Sequence, residues 1–234
     1  VRGSDHAMLS MATALLCISP FLSVDVTVEC LECCIYFLAG VFVGSCLPDA
    51  DVAAAKELRP RKVKWFSYSV ISIVMMRMVR AVYWVTRVRF DGRHRRSLHT
   101  IFGISVAVGV IVAPTWFILT GVGWWSDVFI FVYAGLLCGA LFHLAEDCCT
   151  INGLRPFLPF LSLHLKGGIN TGDYRDRRPV WYTKCMVCMA SLVIAGEYVY
   201  HIPAGRLFLP VLGVVALSGV IFYLFSQRPH ARRK

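Results

Sequence analysis

From Thr100 to Val122 the chain carries no charged residue. A helix needs about 20 apolar residues to cross the roughly 30 Å hydrocarbon core of a bilayer, so this run is long enough to span one. Other long apolar runs follow and precede it. Together they would overfill a soluble core: the chain is 57% hydrophobic and 16% charged, with a mean hydropathy of +0.64. Ordinary soluble domains hold about 45–50% apolar and about 25% charged residues. The sequence therefore predicts a single all-α, integral membrane helical bundle over residues 1–234.

Six spans are expected. They are Ala7–Val24, Val26–Leu47, Thr100–Val122, a span running from Val128 into His143, Val180–His201 and Leu207–Ser226. The first resembles a signal peptide, but it lacks a strongly basic start and a second span follows at once, so a retained helix is expected. Residues 1–5 read as a disordered extension, and 227–234 as a basic tail. Trp65–Thr86 is also long and apolar, yet Arg77 and Arg80 lie near its middle. Each would cost about 2.5–3.5 kcal/mol at a bilayer centre. Arg77, Arg80 and Arg87 share a broad helical face, the pattern of an amphipathic helix lying in the headgroup layer. With that helix interfacial, all but Lys184 and Arg206 of the 24 Lys and Arg residues fall on one side. The positive-inside rule makes that side cytoplasmic, with both termini on it.

Two other readings of the composition fail. The net charge of +10 would suit nucleic acid in a soluble chain; in a membrane protein it reflects cytoplasmic loops and contact with anionic lipid, so no nucleic-acid partner is expected. Most of the ten cysteines lie inside apolar stretches, where a thiol behaves as a small hydrophobe. Cys185-x-x-Cys188 has no partner pair; Cys148 and Cys149, just after Asp147, are the pair kept as supporting groups for a site.

Three polar clusters stand at edges of apolar segments: Leu47-Pro48-Asp49-Ala50-Asp51, Arg93-His94-Arg95-Arg96-Ser97-Leu98-His99, and His143-Leu-Ala-Glu-Asp147. The topology brings His6, Asp49, Asp51, His94, His99, His143 and Asp147 to the same cytoplasmic edge. His143 and Asp147, four residues apart, project from one helix face and suit a shared ion. Imidazole with carboxylate suits zinc, manganese or iron better than calcium. The ligands suffice for one or two ions, and two could clamp both oxygens of a phosphoester. Asp51 is the candidate bridging ligand or base; Arg95 and Arg96 are candidates to hold a substrate phosphate. His164, His201 and His230 read as ordinary interfacial histidines.

The pattern Leu47-Pro48-Asp49-x-Asp51, His94-Arg95-x-x-x-His99 and His143-x-x-x-Asp147, followed by Thr150, Gly153 and Pro159, resembles the LexA-regulated, membrane-bound metal-dependent hydrolases of bacteria. His6 is similar to that family's opening histidine; Lys166-Gly167, Thr171-Gly172 and Asp176-Arg177 resemble its later glycine-containing loop. The resemblance covers roughly residues 6 to 190. It implies a bacterial inner-membrane protein and, by analogy with zinc-dependent phospholipase C, cleavage of a phosphoester in a phospholipid or lipid-linked substrate. Arg96 and Leu98 replace the family's usual Gly and Thr, and Val52 stands where His is frequent. The rival expectations are a non-catalytic metal-binding membrane protein, such as a transporter or an envelope-stress factor, and a scaffold whose acids and histidines only bond one another. A transporter would place its ligands near the bilayer midplane rather than at helix ends.

Overall fold

A computed structural model describes residues 3–22, 26–50, 66–93, 95–170, 173 and 175–227. They form seven α-helices: α1 (Gly3–Ile18), α2 (Val28–Cys46), α3 (Phe66–Val85), α4 (Ile101–Gly121), α5 (Val128–Cys148), α6 (Arg178–Tyr200) and α7 (Ala204–Ser226). No strand occurs among the described residues beyond two isolated bridges in the α5–α6 connection. Five helices, α2 and α4 to α7, are long and apolar enough to cross a membrane.

The first helix differs from the expected span. It begins at Gly3, inside the stretch expected to be disordered, and ends at Ile18, where Pro20 enters a 3-10 turn at Ser19–Phe21. Sixteen residues rise about 24 Å, short of the hydrocarbon thickness. Its surroundings compensate: α1 packs against α2, α5, α6 and α7. Ala12 and Leu16 meet Met186, Ala190 and Val211, while Leu9 meets Cys149, Ile169 and Phe222. A short helix enclosed by longer ones can carry polar residues such as His6 and Ser10 that a lipid-facing helix could not.

The amphipathic pattern expected of α3 is present in its burial. Ser72, Met75, Val79 and Tyr83, spaced three and four residues apart, are buried on one stripe, whereas Arg77, Arg80 and Arg87 are exposed. Tyr83 then fixes the segment that leads into α4, because its hydroxyl donates to the Ser97 carbonyl at 3.0 Å. The Ser97 hydroxyl accepts from the Asp91 amide at 2.7 Å. Thr100 caps α4 by accepting from the Gly103 amide at 2.9 Å. His99 is the last residue of the 3-10 turn (Ser97–His99) held by these bonds.

The closest helix pair is α2 with α5. Gly40 and Gly44 on one helix face Gly135 and Gly139 on the other. A methyl group at Gly40 would collide with the Val132 carbonyl, at Gly44 with Leu136, at Gly135 with Phe37 and at Gly139 with Val41. Residue numbers rise together along both helices, so they run parallel and end side by side. Small residues four apart let two backbones touch, which drives association where lipid removes the hydrophobic incentive. Both helices then deliver polar residues at that shared end.

The α5–α6 connection folds back over the same end. Leu154 pairs with Leu165 and Thr150 with Ile169. Arg178 ties it down, donating to Asp176 at 2.6 Å, the Gly168 carbonyl at 2.7 Å and the Ser226 carbonyl at 3.2 Å. In the expected glycine loop, then, Asp176 engages Arg178; Thr171 and Gly172 lie outside the described residues. Burial alone would raise the Asp176 carboxyl, but the hydrogen bonds and charge of Arg178 hold it below its ordinary value.

The glycine contact yields a direct expectation. Gly44→Ala or Gly139→Ala should destabilise the bundle by about 1–3 kcal/mol through overpacking. Gly109→Ala on α4, where nothing lies within 4 Å of the added methyl, should be neutral or stabilising. Thermal unfolding of the purified protein in detergent measures both.

Candidate metal centre

His6, Asp49, His99, His143 and Asp147 meet at the end of the bundle where α1 begins, α2 ends, α4 begins and α5 ends. Asp51 and His94 lie outside the described residues. Two groups of donor atoms form, each within 4.8 Å of one another: His6, His143 and Asp147, and Asp49, His99 and His143. His143 belongs to both. Its ring stacks on His6 at 4.0 Å between centroids and meets His99 edge-on at 5.6 Å.

The ring nitrogens are oriented by partners outside the cluster. His143 Nδ1 lies 2.7 Å from the Ser45 carbonyl. That oxygen can only accept, so Nδ1 carries the proton, and neutral His143 presents the Nε2 lone pair to the cluster. His6 Nδ1 lies 2.6 Å from Glu146 Oε2, and Ser10 donates to the other Glu146 oxygen at 2.9 Å. Glu146 thereby turns His6 Nε2 towards Asp147. Fixing one imidazole nitrogen so that the other is a ready ligand is how metal sites set their histidines.

The inward atoms are spaced for something between them. His143 Nε2 is 3.8 Å from Asp49 Oδ1 and 3.8 Å from Asp147 Oδ2. His99 Nε2 is 3.7 Å from Asp49 and 3.6 Å from Asp147, and His6 Nε2 is 3.5 Å from Asp147 Oδ1. These separations exceed an ordinary hydrogen bond of 2.7–3.2 Å. Ligands placed tetrahedrally about 2.0–2.1 Å from one ion stand about 3.3–3.4 Å apart, close to what is seen. His143 Nε2 is fully buried with no hydrogen-bond partner among the described residues, a costly state for a polar atom unless a cation completes it. The donor set and its orientation therefore fit a divalent ion.

Asp49 follows α2 in a tight turn, its neighbour's amide (Ala50) donating to the Leu47 carbonyl at 3.2 Å. About a third of its side chain (35%) is exposed, whereas His143 and His99 are closed off. Burial alone would raise its carboxyl, but hydrogen bonding with His99 and the rings of His143, His99 and His6 bring it below its ordinary value. The stability this gives is present at neutral pH and is lost as pH falls through that lowered value.

The two expected phosphate-binding arginines part company. Arg95, at a left-handed φ of 63°, turns inward and donates to Asp147 Oδ1 at 2.8 Å and Thr150 Oγ1 at 3.0 Å. Arg96 stays largely exposed, 4.0 Å from Asp91. The cysteines expected to support the site do not bond its ligands: Cys148 packs in the apolar core and Cys149 donates to the Ala145 carbonyl. Sequence reasoning gave no role to Glu146, Ser10 or Thr150. Glu146 was legible as the residue beside Asp147 that points about 100° around the helix, towards whatever packs there.

Helices fit to cross a membrane, closed around a buried knot of imidazoles and carboxylates at one end, define a class: an integral membrane helical bundle with a metal-competent centre. More particularly, the chain belongs to the YdjM inner membrane protein family, which it matches over residues 2–229. No curated protein and no solved structure matches it.

The Arg95 pair predicts its own cost. Arg95→Gln should leave Asp147 under-compensated and destabilise the protein by about 2–4 kcal/mol, somewhat less than the loss of one partner from a fully buried pair. Chemical denaturation of purified wild type and variant checks this.

Proposed function

We propose that this chain is a metal-dependent hydrolase of phosphoester bonds, acting on a phospholipid or lipid-linked phosphate at the cytoplasmic face of the inner membrane. The observation that carries the reading is the buried Nε2 of His143, without a hydrogen-bond partner among the described residues, aimed between two carboxylates and shared by both donor groups. Regulation by LexA and hydrolytic activity follow from the motif resemblance; both termini are assigned to the cytoplasm by the side on which Lys and Arg collect.

His6, His143 and Asp147 would hold one divalent ion, zinc first by its donor set and manganese or iron next; Asp49, His99 and His143 mark a second position. A bound divalent ion supplies Lewis acidity to a phosphoryl oxygen and lowers the pKa of water towards neutrality. The protein's own residues do the rest. Glu146 and the Ser45 carbonyl lock the two imidazoles. Thr150 and Asp147 hold Arg95 at the rim. Asp49, with its side chain partly exposed, is the ligand that water and a phosphate would reach first. Asp51, two residues on, remains the candidate base.

A second reading has one observation in its favour. His6, His99, His143 and Asp147 are each at most 3% exposed, and closed sites are typical of structural metals. On that reading the chain binds metal without turnover.

One set of measurements separates these. Elemental analysis of the purified protein should find bound zinc, manganese or iron, absent from His143→Ala. A panel of phospholipids and generic phosphodiesters should show phosphoester cleavage that His143→Ala abolishes. Glu146→Gln, which removes the carboxylate that orients His6 and accepts from Ser10, should weaken metal retention about 10- to 100-fold. Metal without cleavage would establish the non-catalytic reading; neither metal nor cleavage would leave a hydrogen-bonded scaffold.

A further inference from the structure

The α5–α6 connection makes a second feature beside the metal centre. Its turn encloses a cleft of about 440 Å³ whose walls include Arg95, Arg96, Arg155, His164, Asn152 and Leu158, with no acidic residue among them. Arg95 is shared: the side chain that reaches Asp147 also lines this cleft. Arg155 and His164 are exposed.

The tip of the same connection is apolar and open. Phe160 is 82% exposed, Leu161 56%, Leu163 47% and Phe157 38%. None belongs to a spanning helix, so lipid contact along a span does not account for them. Their height is set by α4. The Ile101 amide, at the first residue of that span, donates to the Pro156 carbonyl at 2.8 Å. The ring of Phe160 meets Phe102, one residue further in, edge-on at 6.0 Å. The tip therefore lies alongside the end of a membrane span, at the boundary of hydrocarbon and headgroups, with the arginine cleft next to it.

We propose that residues 157–163 are seated in the lipid leaflet and that the adjoining arginine cleft binds the headgroup phosphate of an anionic phospholipid. Aromatic and aliphatic side chains at a membrane surface bury themselves at the acyl boundary, while a neighbouring cationic face draws anionic lipid. Guanidinium groups in a cleft without acids recognise phosphate by charge-assisted hydrogen bonds. The adjacent apolar tip selects a lipid over free phosphate, since it offers the acyl chains a continuous path from headgroup to bilayer. The inference deepens the hydrolase reading and rests on it only for the direction in which the bound phosphate is presented, past Arg95 towards the metal centre.

The test measures binding, not turnover. Full-length protein stripped of metal with a chelator, in dodecyl maltoside, is titrated with short-chain phosphatidylglycerol, short-chain phosphatidylcholine or inorganic phosphate, and bound molecules are counted by native mass spectrometry. Phosphatidylglycerol should bind in preference to both. The surface variants Arg155→Gln/His164→Gln and Phe160→Ser/Leu161→Ser, checked for unchanged helicity, should each weaken it by about tenfold, the loss of roughly one charged hydrogen bond or one buried apolar group. Equal binding of the two lipids, indifference to either variant, or inorganic phosphate binding as tightly as phosphatidylglycerol would overturn the proposal. Lipid binding as expected without any hydrolysis would overturn the hydrolase reading alone. Cleavage of a water-soluble phosphodiester without lipid preference would overturn the lipid proposal alone.

Discussion

Two backbones in contact set the geometry of this protein. Because Gly40, Gly44, Gly135 and Gly139 carry no side chains, α2 and α5 lie against each other along their length and finish in register. That register puts the Ser45 carbonyl within hydrogen-bond reach of His143 and Asp49 across from Asp147. A helix separation increased by one methyl group would part the imidazole from the carbonyl that orients it. In lipid no hydrophobic force would pull the helices back, so close packing and interhelical hydrogen bonds carry the association.

The interior this creates gathers most of its charged groups at one end, with buried Glu197 near the far end of α6 apart from them. Three carboxylates, of Asp49, Glu146 and Asp147, gather with three imidazoles and one guanidinium. Isolated, such groups would be prohibitively costly to bury. Here Glu146 is answered by His6 and Ser10, and Asp147 by Arg95. What these bonds do not answer is the inward side of His143, and the structure has committed Ser45 to keeping that side a lone pair. Lipid-facing surfaces show the reverse pattern, with Leu209, Leu217 and Phe117 outward. Exposed Trp124 and Tyr200 at the far end, and Trp181 at the near end, suit the two interfaces.

Much of this was legible in the order of residues. Long, largely apolar runs mark the spans α2 and α4 to α7, and the i,i+4 spacing of His143 and Asp147 marks a shared face. The collection of Lys and Arg on one side argues that Asp49 and His99 belong with them. The rest needed partners that no local pattern names. Gly40-x-x-x-Gly44 and Gly135-x-x-x-Gly139 are visible as spacings, but only contact between them gives them meaning. The inward turn of Arg95 depends on a left-handed backbone at a non-glycine residue, which no propensity favours. The shortness of α1 hinges on Pro20, and its tolerance of His6 hinges on the helices that enclose it.

Nitrogen and oxygen atoms at these helix ends, and none of the ten cysteines, are the groups proposed to take a divalent metal. X-ray absorption at the zinc edge of the metal-loaded protein reads the ligand shell itself. Nitrogen and oxygen neighbours at about 2.0–2.1 Å, with the multiple scattering of imidazole, are the expected result. A sulfur shell near about 2.3 Å, or a spectrum of hydrated zinc alone, would contradict it.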